Sequence, residues 1–528
     1  MPTQVRKERI DRRHLTLVTL SSRTGFLTAA LSAGAIIAAL VAVILRAGGQ
    51  FSLGAGDVSA ILFTLHQAFW SAALSVLFAV PLARALARRT FPGRRALIVL
   101  LGAPFVLPVV TAVMGLLIVF GRNGWANDLL SFLGVPGFSI YGFQGVVLAH
   151  VFFNIPLATR LILSGWLSLP AERFRLVAQM GLPPSAVFRI LEWPLLRRIV
   201  PGAFALIFVL CLTSFAVALT LGGGPRATTV ELAIYEAFRF EFDLGRAAIL
   251  SLVQIVMAGT AAAVAFWLVP TVQFGAGMDR PVARWDAQSH SLKAQDGVMI
   301  AAGALFLILP LLALTLRGMG GLFDLPSSIW PSVFTSIWVA LVSTGIMIGL
   351  ALPMAGWIAT RRVGSVEALG ILALAASPLM IGTGWFLIIY PFFDPADLAF
   401  WVTASVNALV ALPFALRILV PPIKEALDSY GKLCASLAFS PLQTWRIVIL
   451  PRCKPQIGFA TGLTAALSAG DLGVITLFAD PDRATLPLAM YRLTSAYRTD
   501  AAAGAALLLL VLALAMFWMF DAWGKRRA

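Results

Sequence analysis

Two stretches decide how the chain is read: AERFRLVAQMGLPPSAVFRILEWPLLRR, from Ala171 to Arg198, and GKLCASLAFSPLQTWRIVILPRCK, from Gly431 to Lys454. Laid on each other they keep one register, since Pro184 and Pro441, Arg189 and Arg446, and Pro194 and Pro451 are each 257 positions apart. The same offset relates Pro156 to Pro413, Arg160 to Arg417 and Arg226 to Arg483. The chain is therefore an internal repeat. In the first stretch Gly181 stands where a chain leaving a helix favours a residue free to adopt positive φ. Pro184 suits the first turn of a short helix whose apolar side presents Val187 and Phe188, and a third element ends at Trp193-Pro194. A lever of this plan serves to press against a partner that moves.

Outward from the levers, the composition is that of a membrane protein. Of 528 residues 59% are hydrophobic and 12% charged, against about 45–50% and 25% in soluble domains. The formal charge of +16 rests on so few charged residues that it reads as topology and not as nucleic-acid binding. Cys211, Cys434 and Cys453 form no CxxC pair, which argues against a disulfide framework or a cysteine zinc site, and no metal site is expected. About twelve spans of helical length follow. They are expected over Phe26 to Leu45, Val58 to Ala83, Ala96 to Phe120, Gly142 to Leu163, Ile199 to Leu221 and Ala247 to Val269. In the second half they run over Val298 to Leu316, Val333 to Ile358, Leu369 to Tyr390, Leu398 to Val420, Ile457 to Phe478 and Ala501 to Trp523. Basic residues gather before the first span (Arg6, Lys7, Arg9), after the second (Arg84, Arg88, Arg89, Arg94, Arg95) and in the tail (Lys525, Arg526, Arg527), which places both termini in the cytoplasm. Six spans per half is an even number, so the repeats are parallel. The expected division is a tail over 1–25, a first repeat over 26–270, a linker over 271–297 and a second repeat over 298–528.

The loop spacing resembles the integral membrane subunits of ATP-binding cassette importers, whose coupling loop carries EAA, three residues, G, nine residues and I-x-L-P. Thirteen residues separate Gly181 from Pro194 and Ala438 from Pro451. The pattern's Glu falls on Arg175 and Lys432, with Glu172 one turn earlier than Arg175, and its Gly is replaced by Ala438. An Ala at positive φ costs on the order of 1 kcal/mol. LEWPLLRR, from Leu191 to Arg198, and SFAVALTLGGGPRATTVELAIYEAF, from Ser214 to Phe238, look like the fused, two-repeat permeases of thiamine importers. The resemblance implies an all-α polytopic fold of the type I importer class in a bacterial inner membrane. It implies an outer binding protein delivering thiamine or its phosphate esters, and a separate ATPase in two copies. Its coupling residues are then Glu172, Gly181, Pro184, Val187, Phe188, Arg189, Trp193 and Pro194, with Ala438, Pro441, Thr444, Trp445, Arg446 and Pro451. No GxxxxGK[ST] occurs, so ATP is held by the partner, and no cofactor or catalytic residue is expected in this chain.

Among polar residues inside spans, His66, Gln67, His150, Asn154, Asn407 and Asp471 serve either helix packing or a pathway. Asn154, Ser214 and Asp471 are the pathway candidates. Asp471, set between Ser468-Ala469-Gly470 and Leu472-Gly473, either attracts a cation or caps a broken helix. Tyr235, Phe238, Phe240 and Glu241 are candidates for docking the outer partner, or form an interfacial aromatic belt. Two rivals remain from other readings: a fused iron(III)-type permease, and a proton-coupled transporter of the major facilitator type. The latter's usual Asp-bearing loop after span two is represented only by Pro92-Gly93-Arg94-Arg95.

Overall fold

A computed structural model describes residues 2–48, 52–102, 106–222, 224, 227–268, 285–360, 377–478 and 484–526. Most of the expected linker, the start of the ninth expected span, and Gly223, Pro225, Arg226, Arg483 and Arg527 lie outside them. Among the described residues every regular element is helical, as lipid requires of a chain that satisfies its backbone within each segment. Eleven helices among the described residues are long and apolar enough to cross a membrane. A further apolar helix, Pro378–Ile389, is shorter and lies where the ninth span is expected.

The first repeat is built from α1 (Pro2–Ala47), α2 (Ala55–Arg88), α3 (Arg94–Leu100), α4 (Val109–Phe120), α5 (Trp125–Phe132), α6 (Phe143–Leu167), α7 (Ala171–Gln179), α8 (Pro184–Val187), α9 (Trp193–Leu212), α10 (Ala216–Leu221), α11 (Val230–Arg239) and α12 (Leu244–Leu268). The second follows with α13 (His290–Gly321), α14 (Ile329–Thr360), α15 (Pro378–Ile389), α16 (Pro395–Ser436), α17 (Pro441–Gln443), α18 (Leu450–Ala469), α19 (Gly473–Phe478), α20 (Leu486–Ser495) and α21 (Thr499–Lys525).

Several expected boundaries move. The third span is not one helix but α3 and α4, and the tail residues from Pro2 onward continue into α1. The tenth does not stop at Val420: α16 runs 42 residues through Pro413, Pro421 and Pro422. Prolines that would end a helix in water persist where neighbouring helices offer the freed backbone groups other partners. The fifth and eleventh spans begin six and seven residues earlier than expected, at Trp193 and Leu450, and each is broken before its end.

The first helix of each repeat packs against the other repeat. α1 lies on α14 and α15, and α13 lies on α2 and α4. Lipid supplies no hydrophobic drive between helices, so close approach rests on small residues. A Cβ on Gly115 of α4 would meet the Pro310 carbonyl oxygen of α13 at 2.6 Å, and one on Gly303 of α13 would meet Leu82 of α2 at 2.8 Å. At the far end of α13, Gly321 and Gly504 of α21 leave each other no room for a Cβ. Gly320 beside them faces open space. Gly504→Leu is expected to cost roughly 1–3 kcal/mol through overpacking and to lower both the yield of monodisperse protein and its thermal midpoint. Gly320→Ala is expected to change neither, and equal damage from both would show that close contact is not what matters.

Candidate functional site

The two levers fold alike. α7 turns Phe174 and Val177 inward, 3% and 5% exposed, and leaves Glu172 and Arg175 on the surface. Glu172 lies in its first turn, where the helix dipole favours a carboxylate. The helix closes with Leu182 N–H donating to Val177 O at 3.4 Å and Gly181 N–H to Ala178 O at 3.0 Å. In the second copy Phe439 N–H reaches Cys434 O at 3.0 Å and Ala438 N–H reaches Ala435 O at 3.2 Å. This is the same paired C-terminal cap, which needs a left-handed residue at its corner. Gly181 supplies it at φ +63° and Ala438 at φ +58°. The expected positive φ holds in both copies, and the second accepts the strain of a Cβ.

After the corner, Pro184 opens α8. In the second copy Ser440 and Gln443 form a capping box, with Gln443 N–H donating to Ser440 Oγ at 3.2 Å and Ser440 N–H to Gln443 Oε1 at 2.7 Å. Thr444, buried, donates its hydroxyl to Ser440 O at 3.1 Å. Each copy then makes one wide π turn, Phe188–Glu192 and Thr444–Ile449, just before the next long helix. Pro194 and Pro451 are the second residues of those helices. A proline there lacks the N–H of an ordinary helical bond and its ring crowds the carbonyl four residues back, and a wider turn relieves both. Trp193-Pro194 therefore starts a helix, where the sequence reading had it end one. Val187 is also not presented: it is 0% exposed in the first repeat's apolar cluster. The faces left outward carry Phe188, Arg189, Trp193 and Pro194 in one copy, and Arg446 and Pro451 in the other, with Pro441 and Trp445 half-buried.

From these levers α9 and α18 run into the bundle and break at equivalent places. α9 ends at Leu212 and α10 starts at Ala216; α18 ends at Ala469 and α19 starts at Gly473. Ser214 and Asp471, 257 positions apart, occupy the two breaks. In the first, Gln67 donates its amide to Cys211 O at 2.9 Å and Gln254 donates to Leu212 O at 2.8 Å. In the second, Asp471 Oδ1 accepts the Gly473 N–H at 3.3 Å, which caps the restarted helix. Its Oδ2 is buried without a hydrogen-bond partner. The breaks approach each other, because a Cβ on Gly473 would lie 3.6 Å from Asp471 Oδ1 and 3.9 Å from the Phe215 ring. Asn407 donates to Ser468 Oγ at 3.1 Å, and the same repeat positions hold His150 and Cys211. Asn154 spends its amide on His150 O at 2.8 Å and Cys211 Sγ at 3.4 Å, which ties α6 to α9.

The aromatic stretch in and just after α11 divides by burial. Tyr235 and Phe238 are 9% and 3% exposed, and Phe238 packs edge-on to Phe386. Phe240 is 75% exposed, and Glu241 pairs with Arg246, which also holds Asp57 at 2.7 Å. A surface role falls to Phe240 and Glu241. Nothing in the sequence pattern singled out Glu231, yet it is 0% exposed and neither carboxylate oxygen has a hydrogen-bond partner. Ser377 and Gln254 are its polar neighbours. Burial pushes its carboxyl up to about 8.

Two outcomes follow from this geometry. Gly181→Val places a β-branched side chain at positive φ and is expected to cost about 1–2 kcal/mol of local stability. Hydrogen exchange of the loop amides would read it, and Ala438→Gly is expected to be tolerated without loss. For Glu231 the folded state holds its proton to higher pH than the unfolded chain. Its contribution is full at acid pH and is lost as pH rises toward about 8. Glu231→Gln is therefore expected to flatten the fall of thermal midpoint between about pH 5 and 8 relative to the unmodified protein, and parallel curves would show that Glu231 does not titrate there.

No family model matches the chain. Relatives match it nearly end to end. A thiamine transport system permease protein of Brucella abortus is 37% identical over 497 residues, 92% of this chain and 92% of its own length. Those of Salmonella typhimurium and Escherichia coli are each 38% identical, over 483 residues (89% of both chains) and 476 residues (87% of this chain and 88% of theirs). A probable sulfate transport system permease protein of Helicosporidium is 25% identical over 202 residues, 38% of this chain. With matched levers at one end and paired helix breaks within, the chain belongs to the family of thiamine transport system permease proteins.

Proposed function

We propose that the chain is the membrane subunit of an ATP-driven importer that carries thiamine, and its phosphate esters, across a bacterial inner membrane. The names of its relatives support the cargo. The observation that carries the mechanism is that one repeat register places both a lever and a helix break in each half. In this reading the levers face the cytoplasm with both termini, and two copies of a separate ATPase grip Phe188, Arg189 and Trp193 on one side and Trp445 and Arg446 on the other. Closure of that engine tilts α9 and α18 and opens the bundle to each side in turn, a bistable assembly biased by a ligand bound elsewhere. A periplasmic thiamine-binding protein docks at the end that bears Phe240 and Glu241. Asp471 Oδ2, a carboxylate oxygen left over after capping, suits a thiazolium cation passing the breaks.

The test uses permease, ATPase and binding protein together in proteoliposomes. Thiamine uptake is expected to track ATP and to survive collapse of the proton gradient. Phe188→Asp is expected to lower thiamine carried per ATP by about tenfold, equal to about 1.4 kcal/mol, with the complex still assembled. Asp471→Asn is expected to lower uptake while leaving binding-protein docking intact. Uptake that follows the proton gradient, or normal transport by an assembled Phe188→Asp complex, would refute the mechanism.

A further inference from the structure

The two levers are anchored differently. In the first, Glu192 closes the π turn and is 0% exposed. Its Oε2 accepts from Arg84 Nε at 2.8 Å and lies 2.6 Å from Arg84 Nη2, and Arg84 also covers the Phe188 ring at 4.9 Å. Arg88 Nη2 stands 3.8 Å from the same oxygen, while its Nη1 stands 3.8 Å from Asp296 Oδ1. Arg89 Nε closes the row on Asp296 Oδ2 at 2.7 Å. The side chains of Glu192, Arg88 and Asp296 are 0%, 4% and 7% exposed, so the middle of the row is shielded from water and from screening by salt, while Arg84 and Arg89 at its ends are 28% and 18% exposed. At the repeat position of Glu192 the second lever carries Ile449, 2% exposed in an apolar cluster with Leu419, Ile423 and Cys453.

Asp296 sits on α13, the first helix of the second repeat, whose 32 residues span about 48 Å. One end of that helix is held by Arg88 and Arg89 to the end of α2, which through Arg84 and Arg88 holds Glu192 of the first lever. The other end is held to α21 of its own repeat. There Gly318 and Gly321 meet Leu507 and Gly504 too closely for a Cβ, and Arg317 pairs with Asp500 at 2.8 Å. A single continuous helix thus joins the base of the first lever to the far side of the opposite repeat.

We propose that Asp296 is a positioning residue for coupling, fastening α13 to the first lever so that this lever drives both repeats, while the second, seated on Ile449, drives its own. The proposal rests on the coupling reading above. A buried row of alternating charges resists being pulled apart, because separating any pair strands an ion in a poorly solvating interior. It fixes direction as well, since Arg88 is shared between Glu192 and Asp296.

Two measurements test it. In proteoliposomes with ATPase and binding protein, Asp296→Asn is expected to lower thiamine carried per ATP by about fivefold, within the span of such coupling changes, and Asp296→Glu to restore most of it. An assembled Asp296→Asn complex with the unmodified ratio would overturn the proposal. Should that variant fail to assemble, spin labels at Leu176→Cys on α7 and Leu305→Cys on α13, both exposed, decide the matter in the otherwise unmodified chain. Their separation is expected to be the same in nucleotide-free and vanadate-trapped complexes, and a change on trapping would overturn the proposal. If the unmodified complex moves no thiamine, the transport reading fails, and the label distance still judges whether lever and helix move as one.

Discussion

Each repeat interrupts a helix inside a medium that offers the freed backbone no water, and the rest of the arrangement depends on how those groups are satisfied. At the first break the carbonyls of Cys211 and Leu212 are taken by Gln67 and Gln254, brought from α2 and α12. Those two glutamines fix where α2, α9 and α12 meet, and so where α9 arrives from its lever. At the second break the chain solves the same problem locally, with Asp471 accepting from Gly473. An amide donates as well as accepts, whereas a carboxylate only accepts. The first solution therefore satisfies the helix that ends and the second satisfies the helix that restarts. Only the second leaves a charged oxygen unspent.

That difference belongs to a wider pattern in which one register carries unlike chemistry. Gly181 is matched by Ala438, Glu192 by Ile449, Ser214 by Asp471, and the His150–Cys211 positions by Asn407 and Ser468. The backbone is common to both copies, because the left-handed corner, the π turn and the break all recur. The side chains that fasten it are not. Geometry is thus duplicated and energetics divided, with an ion row under one lever and apolar packing under the other.

Much of this was legible in the sequence because it is local and periodic. The repeat, the lever corners and the break at Asp471 follow from prolines, glycines and small residues whose conformational limits act over a few positions. The π turns were not foreseen, although Pro194 and Pro451 were the signal, since a proline inside a helix must displace the bonds before it. What stayed hidden is long-range. Gln67 and Cys211 are 144 positions apart, and no spacing rule links them. Val187 reads as apolar whether it faces a partner or the core, and only packing decides. The tenth span is expected to end at Val420 because the sequence does not show the neighbours that let α16 continue through Pro421 and Pro422. Glu231 resembles any acid in a first helical turn until its burial is known.

The exchange of first helices completes the mechanics. With α1 lying on the second repeat and α13 on the first, each repeat's own apolar cluster is completed by a residue of the other's first helix, Leu307 in one and Ala29 in the other, and the largest apolar cluster draws on both. Two bodies joined only at a face can rock apart with little resistance, but bodies that each hold the other's leading helix must move those helices as they rock. Close backbone contacts of α13, at Gly115 of α4 in the first repeat and at Gly504 of α21 in its own, make that helix poor at sliding and good at transmitting displacement, since interdigitated backbones have few intermediate packings. A covalent fusion of the two repeats fits this plan. Each half packs against the first helix of the other, and tethering keeps the correct partner at high effective concentration while those contacts form.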